Sequence, residues 1–192
     1  MIDQKGYLKV VDFGFAKIIE GPAFTLCGTP DYLAPEIIAE TGHGLAVDWW
    51  ALGVLIFEML VGAPPFKGDD TPSLYKQIEK AKVSFPKGQM SKGAQAIISE
   101  LLRKKPKERL GSGAKGHAQL IGHAWLKGRI DVKSMPQMGP ATPPPYVPTI
   151  RSDEDVLRNF CMDGVDEWHA EVDELERELT PEECKLFSAF SL

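Results

Sequence analysis

The chain has 192 residues, 43% of them hydrophobic, 26% charged and 9% aromatic. This is an ordinary globular composition, long enough for one good-sized domain or two small ones without disulfide staples. No stretch reaches the roughly 18 unbroken apolar residues of a membrane span, and Met1-Ile2-Asp3-Gln4-Lys5 has neither the basic nor the apolar region of a secretory signal. Three widely spread cysteines, Cys27, Cys161 and Cys184, form no zinc or disulfide pattern. A reducing compartment, cytoplasmic or nuclear, is therefore expected. The net charge of -5 is uneven: residues 1–150 carry 18 Lys+Arg and 14 Asp+Glu, residues 151–192 carry 4 and 13. An acidic tail on a weakly basic body argues against nucleic acid as its partner and leaves open that the tail lies across the body's own basic surface.

In chain order, Gly6 to Val11 is rich in β-branched and aromatic residues after a turn-forming Asp3-Gln4-Lys5-Gly6, which predicts a short strand. Asp12 to Glu40 shows no sustained period and reads as a long functional loop. Ala46 to Val61 is apolar almost all round, as expected of a helix at the centre of a core, and Gly62-Ala63-Pro64-Pro65 stops it. Helices are also predicted from Pro72 to Lys80, Ser91 to Arg103 and His117 to Leu126. Asp131 to Pro148, with Pro143-Pro144-Pro145, predicts an extended run and places the boundary between body and tail. Within the tail, Trp168, Val172, Leu175 and Leu179 form an amphipathic stripe, and Thr180-Pro181-Glu182-Glu183 has the form of a capping box.

The chemistry concentrates in the long loop. Asp12-Phe13-Gly14 sets a carboxylate beside a residue without a Cβ, an arrangement able to hold a divalent cation in a cleft, although the tripeptide alone also suits a plain turn. Ala34-Pro35-Glu36 follows, with Thr25 and Thr29 between. Asp-Phe-Gly, a loop with phosphorylatable hydroxyls and then Ala-Pro-Glu have the order of a protein-kinase activation segment.

Residues 12–36, DFGFAKIIEGPAFTLCGTPDYLAPE, closely resemble the AGC group of serine/threonine kinases, especially the cAMP-dependent kinases. The resemblance continues through residues 46–66, Glu108-Arg109-Leu110-Gly111 and residues 122–126, and reappears in Phe187-Ser188-Ala189-Phe190 near the end. It implies a mainly α fold with a small β element: a protein-kinase-like C-terminal lobe over residues 1–126, then an AGC tail over 127–192. The Gly-rich loop, the strand Lys and the His-Arg-Asp catalytic loop do not occur in these 192 residues. By the resemblance the catalytic Asn would precede Met1 by about two residues and the catalytic Asp by about seven. The chain is then expected to be cut just after the catalytic loop, Met1 being either an alternative start or the mark of an incomplete gene model.

The resemblance also implies roles. Asp12 matches the residue that holds Mg2+ and, through it, ATP; Phe13 and Gly14 complete its motif. Phe15 matches a position where a large residue accompanies preference for serine acceptors, or else packs in the core. Thr25 matches a threonine phosphorylated by an activating kinase, Lys17 a basic residue reaching that phosphate, and Thr29 a residue that contacts the catalytic Asp. Leu26, Pro30 and Leu33 match a pocket for the apolar residue after the acceptor. Glu58 matches the carboxylate that receives a substrate Arg, with a buried ion pair as the alternative. Glu36 and Arg109 match a buried salt bridge, and Asp48 a brace for the catalytic loop. Cys27 matches a redox-sensitive thiol or is inert, and Phe187 and Phe190 match a terminal hydrophobic motif. The expected activity is transfer of the ATP γ-phosphate to Ser or Thr in basic-directed protein sites, with a regulatory subunit as a further partner and the 192 residues themselves inactive. The alternative is a non-catalytic module that binds kinase substrates or regulatory subunits.

Overall fold

The computed structural model describes residues 1–113, 116–127, 144 and 146–149. The predicted Trp168–Leu179 stripe, the Thr180 cap, Phe187 and Phe190 lie outside these residues, as does most of the proline-rich run. The described residues divide into two compact units, one starting at Val10 and the other comprising Met1–Lys9 with residues from Pro144 onward.

In the smaller unit, Asp3 closes a turn: its Oδ1 accepts from the backbone N–H groups of Tyr7 at 2.8 Å and Lys5 at 2.9 Å. These bonds, Tyr7's foremost, hold the Asp3 carboxyl below its ordinary range. Gly6 has φ +88°, and a Cβ there would strike the Tyr146 carbonyl and the Pro144 ring, so both the backbone and the close approach require glycine.

The predicted strand Gly6–Val11 does not form. Among the described residues there are two isolated antiparallel bridges, Ile2 with Leu8 and Ala23 with His43, and no longer strand. The pairing stops at Lys9 among the described residues. Lys9 N–H bonds the Met1 carbonyl at 2.8 Å, but Val10 and Val11 are exposed, and Asp12 leaves the extended region with φ +62°. A single bridge is too short a ladder to make the β-branched run a strand.

The larger unit is helical. A 3-10 turn at Pro30–Tyr32 leads into α1 (Pro35–Ile38), followed by α2 (Ala46–Val61), α3 (Thr71–Lys80), α4 (Lys92–Leu101), a second 3-10 turn at Pro106–Glu108 and α5 (His117–Ile121). α2 ends where expected. Gly62 takes the left-handed conformation at φ +82° and returns its N–H to the Glu58 carbonyl at 2.7 Å. α3 is opened by a reciprocal cap: the Asp70 carboxylate accepts from Ser73 N–H at 2.7 Å and Ser73 Oγ accepts from Asp70 N–H at 3.2 Å. Ser91 caps α4 by accepting from Ala94 N–H at 3.1 Å. α4 stops at Leu101 rather than Arg103, because Leu102 leaves helical geometry and Lys105, preceding Pro106, is extended. α5 stops at Ile121, with Gly122 as its C-cap, well short of Leu126.

α2 and α4 form the centre. α2 buries Trp50, Gly53, Val54 and Phe57, and α4 buries Ala94, Ile97, Ile98 and Leu101, each set at helical spacing. They meet at Gly53, where a Cβ would lie 2.9 Å from Leu101 Cβ and 2.9 Å from Leu102 Cδ2. Trp50 stacks on Phe66, ring centroids 5.6 Å apart and planes 6° from parallel. Fully burying such side chains stabilises by about 1.5–3 kcal/mol each.

α2 differs from expectation in one respect. It is apolar all round yet buries one face only, leaving Leu55 42%, Met59 76% and Leu60 41% exposed. Its principal neighbours among the described elements, α4 and the two 3-10 turns, leave that outer face uncovered.

Candidate functional site

The candidate segment runs from Asp12 to Glu36. Its first part is open. Asp12, Phe13, Gly14, Phe15, Lys17, Thr25 and Thr29 are all exposed, so Phe15 does not pack in the core. Asp12 Oδ1 accepts from Gly14 N–H at 3.2 Å, which turns the backbone tightly at the motif. Its carboxylate stands in solvent, and no group of three or more His, Cys, Asp or Glu side chains able to hold a metal ion occurs among the described residues.

The middle is held by one cross-connection. Ala23 N–H donates to the His43 carbonyl at 2.9 Å and His43 N–H to the Ala23 carbonyl at 2.8 Å. Between this connection and the start of α2 lies a cavity of about 640 Å³, lined by Phe15, Lys17, Thr25, Cys27, His43 and Asp48 among others. Asp48 sits in the first turn of α2, where the helix dipole favours a carboxylate, and its side chain is exposed. Cys27 is a half-buried free thiol.

The last part is fixed to the core. Pro30 starts the 3-10 turn and Pro35 starts α1, each at a position where a missing N–H costs nothing. Leu26 and Pro30 are exposed, whereas Leu33 is buried at 5% exposure. Tyr32 Oη donates to Glu58 Oε2 at 2.5 Å, joining the 3-10 turn to α2. That bond, helped by partial burial and by the charge of Glu58, pushes the Tyr32 hydroxyl up to about 12. The partner of half-buried Glu58 is thus a hydroxyl; among the described residues it has no ion pair, contrary to the structural alternative raised from sequence.

Glu36 and Arg109 form the strongest polar contact of the segment. Arg109 donates from one terminal nitrogen to Glu36 Oε1 at 2.7 Å and from the other to Oε2 at 2.9 Å. The side chains are 0% and 5% exposed. Charge buried this deeply requires pairing and hydrogen bonding, and Arg109 has all three guanidinium nitrogens bonded. It also donates to the Ala46 carbonyl at 2.6 Å and the Arg103 carbonyl at 3.2 Å, and its guanidinium lies 5.2 Å from the centre of the Trp50 ring.

Sequence reasoning did not identify Tyr32 or His43. Tyr32 lies in the quoted motif, but nothing in its spacing connects it to Glu58, 26 residues away. The arrangement as a whole presents an exposed carboxylate at one end, a buried ion pair at the other, and between them a threonine beside a cavity.

Comparison with known proteins agrees with this layout. The protein kinase domain family matches residues 1–126. The chain is similar to the cAMP-dependent protein kinase catalytic subunit PRKX of Mus musculus, 44% identical over 156 residues, covering 81% of this chain and 43% of the relative. It is similar to PRKX of Homo sapiens, 42% identical over 168 residues, covering 88% and 46%. It is also similar to the cAMP-dependent protein kinase catalytic subunit of Dictyostelium discoideum, 51% identical over 126 residues, covering 66% and 19%. The chain therefore spans less than half the length of these relatives. With two thirds of its residues inside the matched domain, and a buried Glu36–Arg109 pair closing a segment that begins at Asp12-Phe13-Gly14, the chain belongs to the protein kinase family and resembles its AGC members.

Proposed function

We propose that the chain is the C-terminal lobe and tail of a serine/threonine kinase that transfers the ATP γ-phosphate to Ser or Thr in protein sites with preceding basic residues. The observation that carries this reading is the Glu36–Arg109 pair, which anchors the end of the Asp12–Glu36 segment to the core while its beginning stays accessible. Glu58 is the carboxylate for a substrate Arg, with Tyr32 orienting it, and the exposed Leu26 and Pro30 offer apolar surface for the residue after the acceptor. Phosphorylation of Thr25 by an activating kinase, a regulatory subunit as partner, and a cytoplasmic or nuclear location belong to the same reading.

Asp12 would hold Mg2+, whose charge offsets that of the nucleotide phosphates. Mg2+ is commonly held by one or two carboxylates plus phosphate oxygens. Asp12 supplies one such exposed carboxylate, and the described residues alone do not complete the site. The 192 residues should consequently not transfer phosphate alone: without the catalytic Asp, Asn and phosphate-binding Lys, positioning and charge stabilisation both fail.

The test is to incubate the chain with labelled ATP, Mg2+ and an Arg-rich serine peptide, and in parallel a chimera joining it to the N-terminal half of the mouse relative. The chain should give no transfer above its Asp12→Ala variant. The chimera should be active, and Asp12→Ala should silence it. A folded chimera without activity would overturn the kinase reading. In the same assay, inhibition of the active chimera by added 192-residue chain would favour a competing binding module, for which the exposed Leu26 and Pro30 together with Glu58 provide candidate contacts.

A further inference from the structure

We propose that the imidazole of His43 forms part of the seat of a phosphate on Thr25, so that this modification is read with a pH dependence set by histidine. This rests on the reading of Thr25 as a phosphate acceptor given above, and adds to it the group that receives the phosphate.

The two bonds between Ala23 and His43 lay the run around Ala23 antiparallel to the run around His43. Side chains alternate along such an extended run. Ala23, Thr25 and Cys27 line the cavity of about 640 Å³, while Phe24 and Leu26 between them are 64% and 49% exposed. His43, opposite Ala23, lines the same cavity, and so does Lys17. The pairing is braced outside the cavity by Phe24, whose ring would lie 3.1 Å from a Cβ at Gly42. Thr25 and His43 therefore line one space, on the side of the paired backbone that Ala23 shares.

Charge then decides what the phosphate needs. The ionisable groups lining the cavity are Lys17, His43, Cys27 and Asp48. With His43 neutral, Lys17 is balanced by Asp48, and an added charge of about -1.5 to -2 finds no net attraction. With His43 protonated the lining carries a net positive charge, and imidazolium N–H groups can donate charge-assisted hydrogen bonds to phosphate oxygens. The phosphate thus draws a proton onto His43. The ordering that follows is strongest between the lowered phosphate midpoint and the raised imidazole midpoint. It is lost above the latter as His43 gives up its proton and weakens below the former as the phosphate takes one up.

The experiment uses the full 192-residue chain with phosphothreonine installed at position 25 during synthesis, so that its outcome does not depend on any kinase acting there. NMR titration should show the His43 imidazole, assigned through His43→Gln, raised by about one unit relative to the unmodified chain. The phosphate midpoint, followed by its phosphorus signal, should be lowered in the native chain and return toward that of an unstructured phosphopeptide in His43→Gln. An imidazole midpoint unmoved by phosphorylation overturns the proposal, and this needs no variant beyond the assignment. The same phosphate midpoint in the native and His43→Gln chains, with the Ala23 and His43 amide signals preserved, overturns it equally. The underlying reading fails separately, if activating kinases leave Thr25 of the active chimera unmodified.

Discussion

Tyr32 and Glu58, 26 residues apart, share a hydrogen bond of 2.5 Å that ties the 3-10 turn before α1 to the last turns of α2. Because this bond pushes the Tyr32 hydroxyl up to about 12, from an ordinary value of 10.0, it makes stability depend on pH. Between these values the unfolded chain gives up the Tyr32 proton while the folded chain keeps it. The contribution is complete below pH 10 and is lost as the pH rises toward 12. Tyr32→Phe should lower stability by about 1 kcal/mol at neutral pH and flatten the part of the alkaline loss that Tyr32 contributes. Denaturant melts of both proteins at pH 8, 10 and 11 check this; parallel pH profiles would show that the bond does not persist in solution.

Arg109→Ala should cost about 3–5 kcal/mol, the range for removing one partner of a buried ion pair. Arg109→Lys should recover little, since an ammonium cannot reproduce the two parallel bonds to Glu36 or the contact with Trp50. Lys107→Ala, on the exposed neighbouring turn, should change stability by at most about 0.5 kcal/mol. Urea midpoints of the three variants decide it. Equal midpoints for Arg109→Ala and Lys107→Ala would mean that the pair is open to water.

Gly53→Ala should destabilise, although alanine is the better helix former by about 1 kcal/mol. The new methyl would stand 2.9 Å from Leu101 Cβ and from Leu102 Cδ2, and overpacking of this kind costs about 1–3 kcal/mol. Gly113→Ala is a suitable control, since among the described residues a Cβ there meets only the Gln119 side chain, at 3.6 Å. A thermal melt that rises in Gly53→Ala would show that α2 and α4 can separate to accommodate it.

Thr25→Ala should leave the melting of the 192-residue chain within about 0.5 kcal/mol of the unmodified protein, as expected of an exposed residue. The same change in the active chimera should sharply reduce peptide phosphorylation, if Thr25 is the activating modification. Full activity of that variant chimera would remove Thr25 from the regulatory role.

The legible parts of the sequence were those with local causes. Gly62 with Pro64 and Pro65 ended α2 where the pattern placed it, and Ser91 marked the start of α4. The Glu36–Arg109 contact came through resemblance, since a separation of 73 residues has no local signature. The strand expected over Gly6–Val11 shrank to one bridge because composition describes a strand's fitness for a sheet and is silent on how far a neighbour runs beside it. The outer face of α2 was misjudged for the same reason. Its apolar residues report what the helix tolerates around it, whereas Leu55 and Met59 remain exposed among the described residues. Tyr32 and His43 could not be identified because each acts through an element distant in sequence: Tyr32 through α2, and His43 through the run around Ala23.

Arg109 has a consequence for how the protein comes apart. One guanidinium bridges α1, the first turn of α2 and the aromatic stack of Trp50 on Phe66. Residues 33–38 consequently cannot peel away without disturbing that stack, and their amides should exchange with deuterium only when the whole helical unit opens. Residues 10–22 have no comparable anchor among the described residues and should exchange orders of magnitude sooner. The boundary between fast and slow exchange would then fall inside the Asp12–Glu36 segment, dividing it into a freely sampling arm and a base that shares the fate of the core.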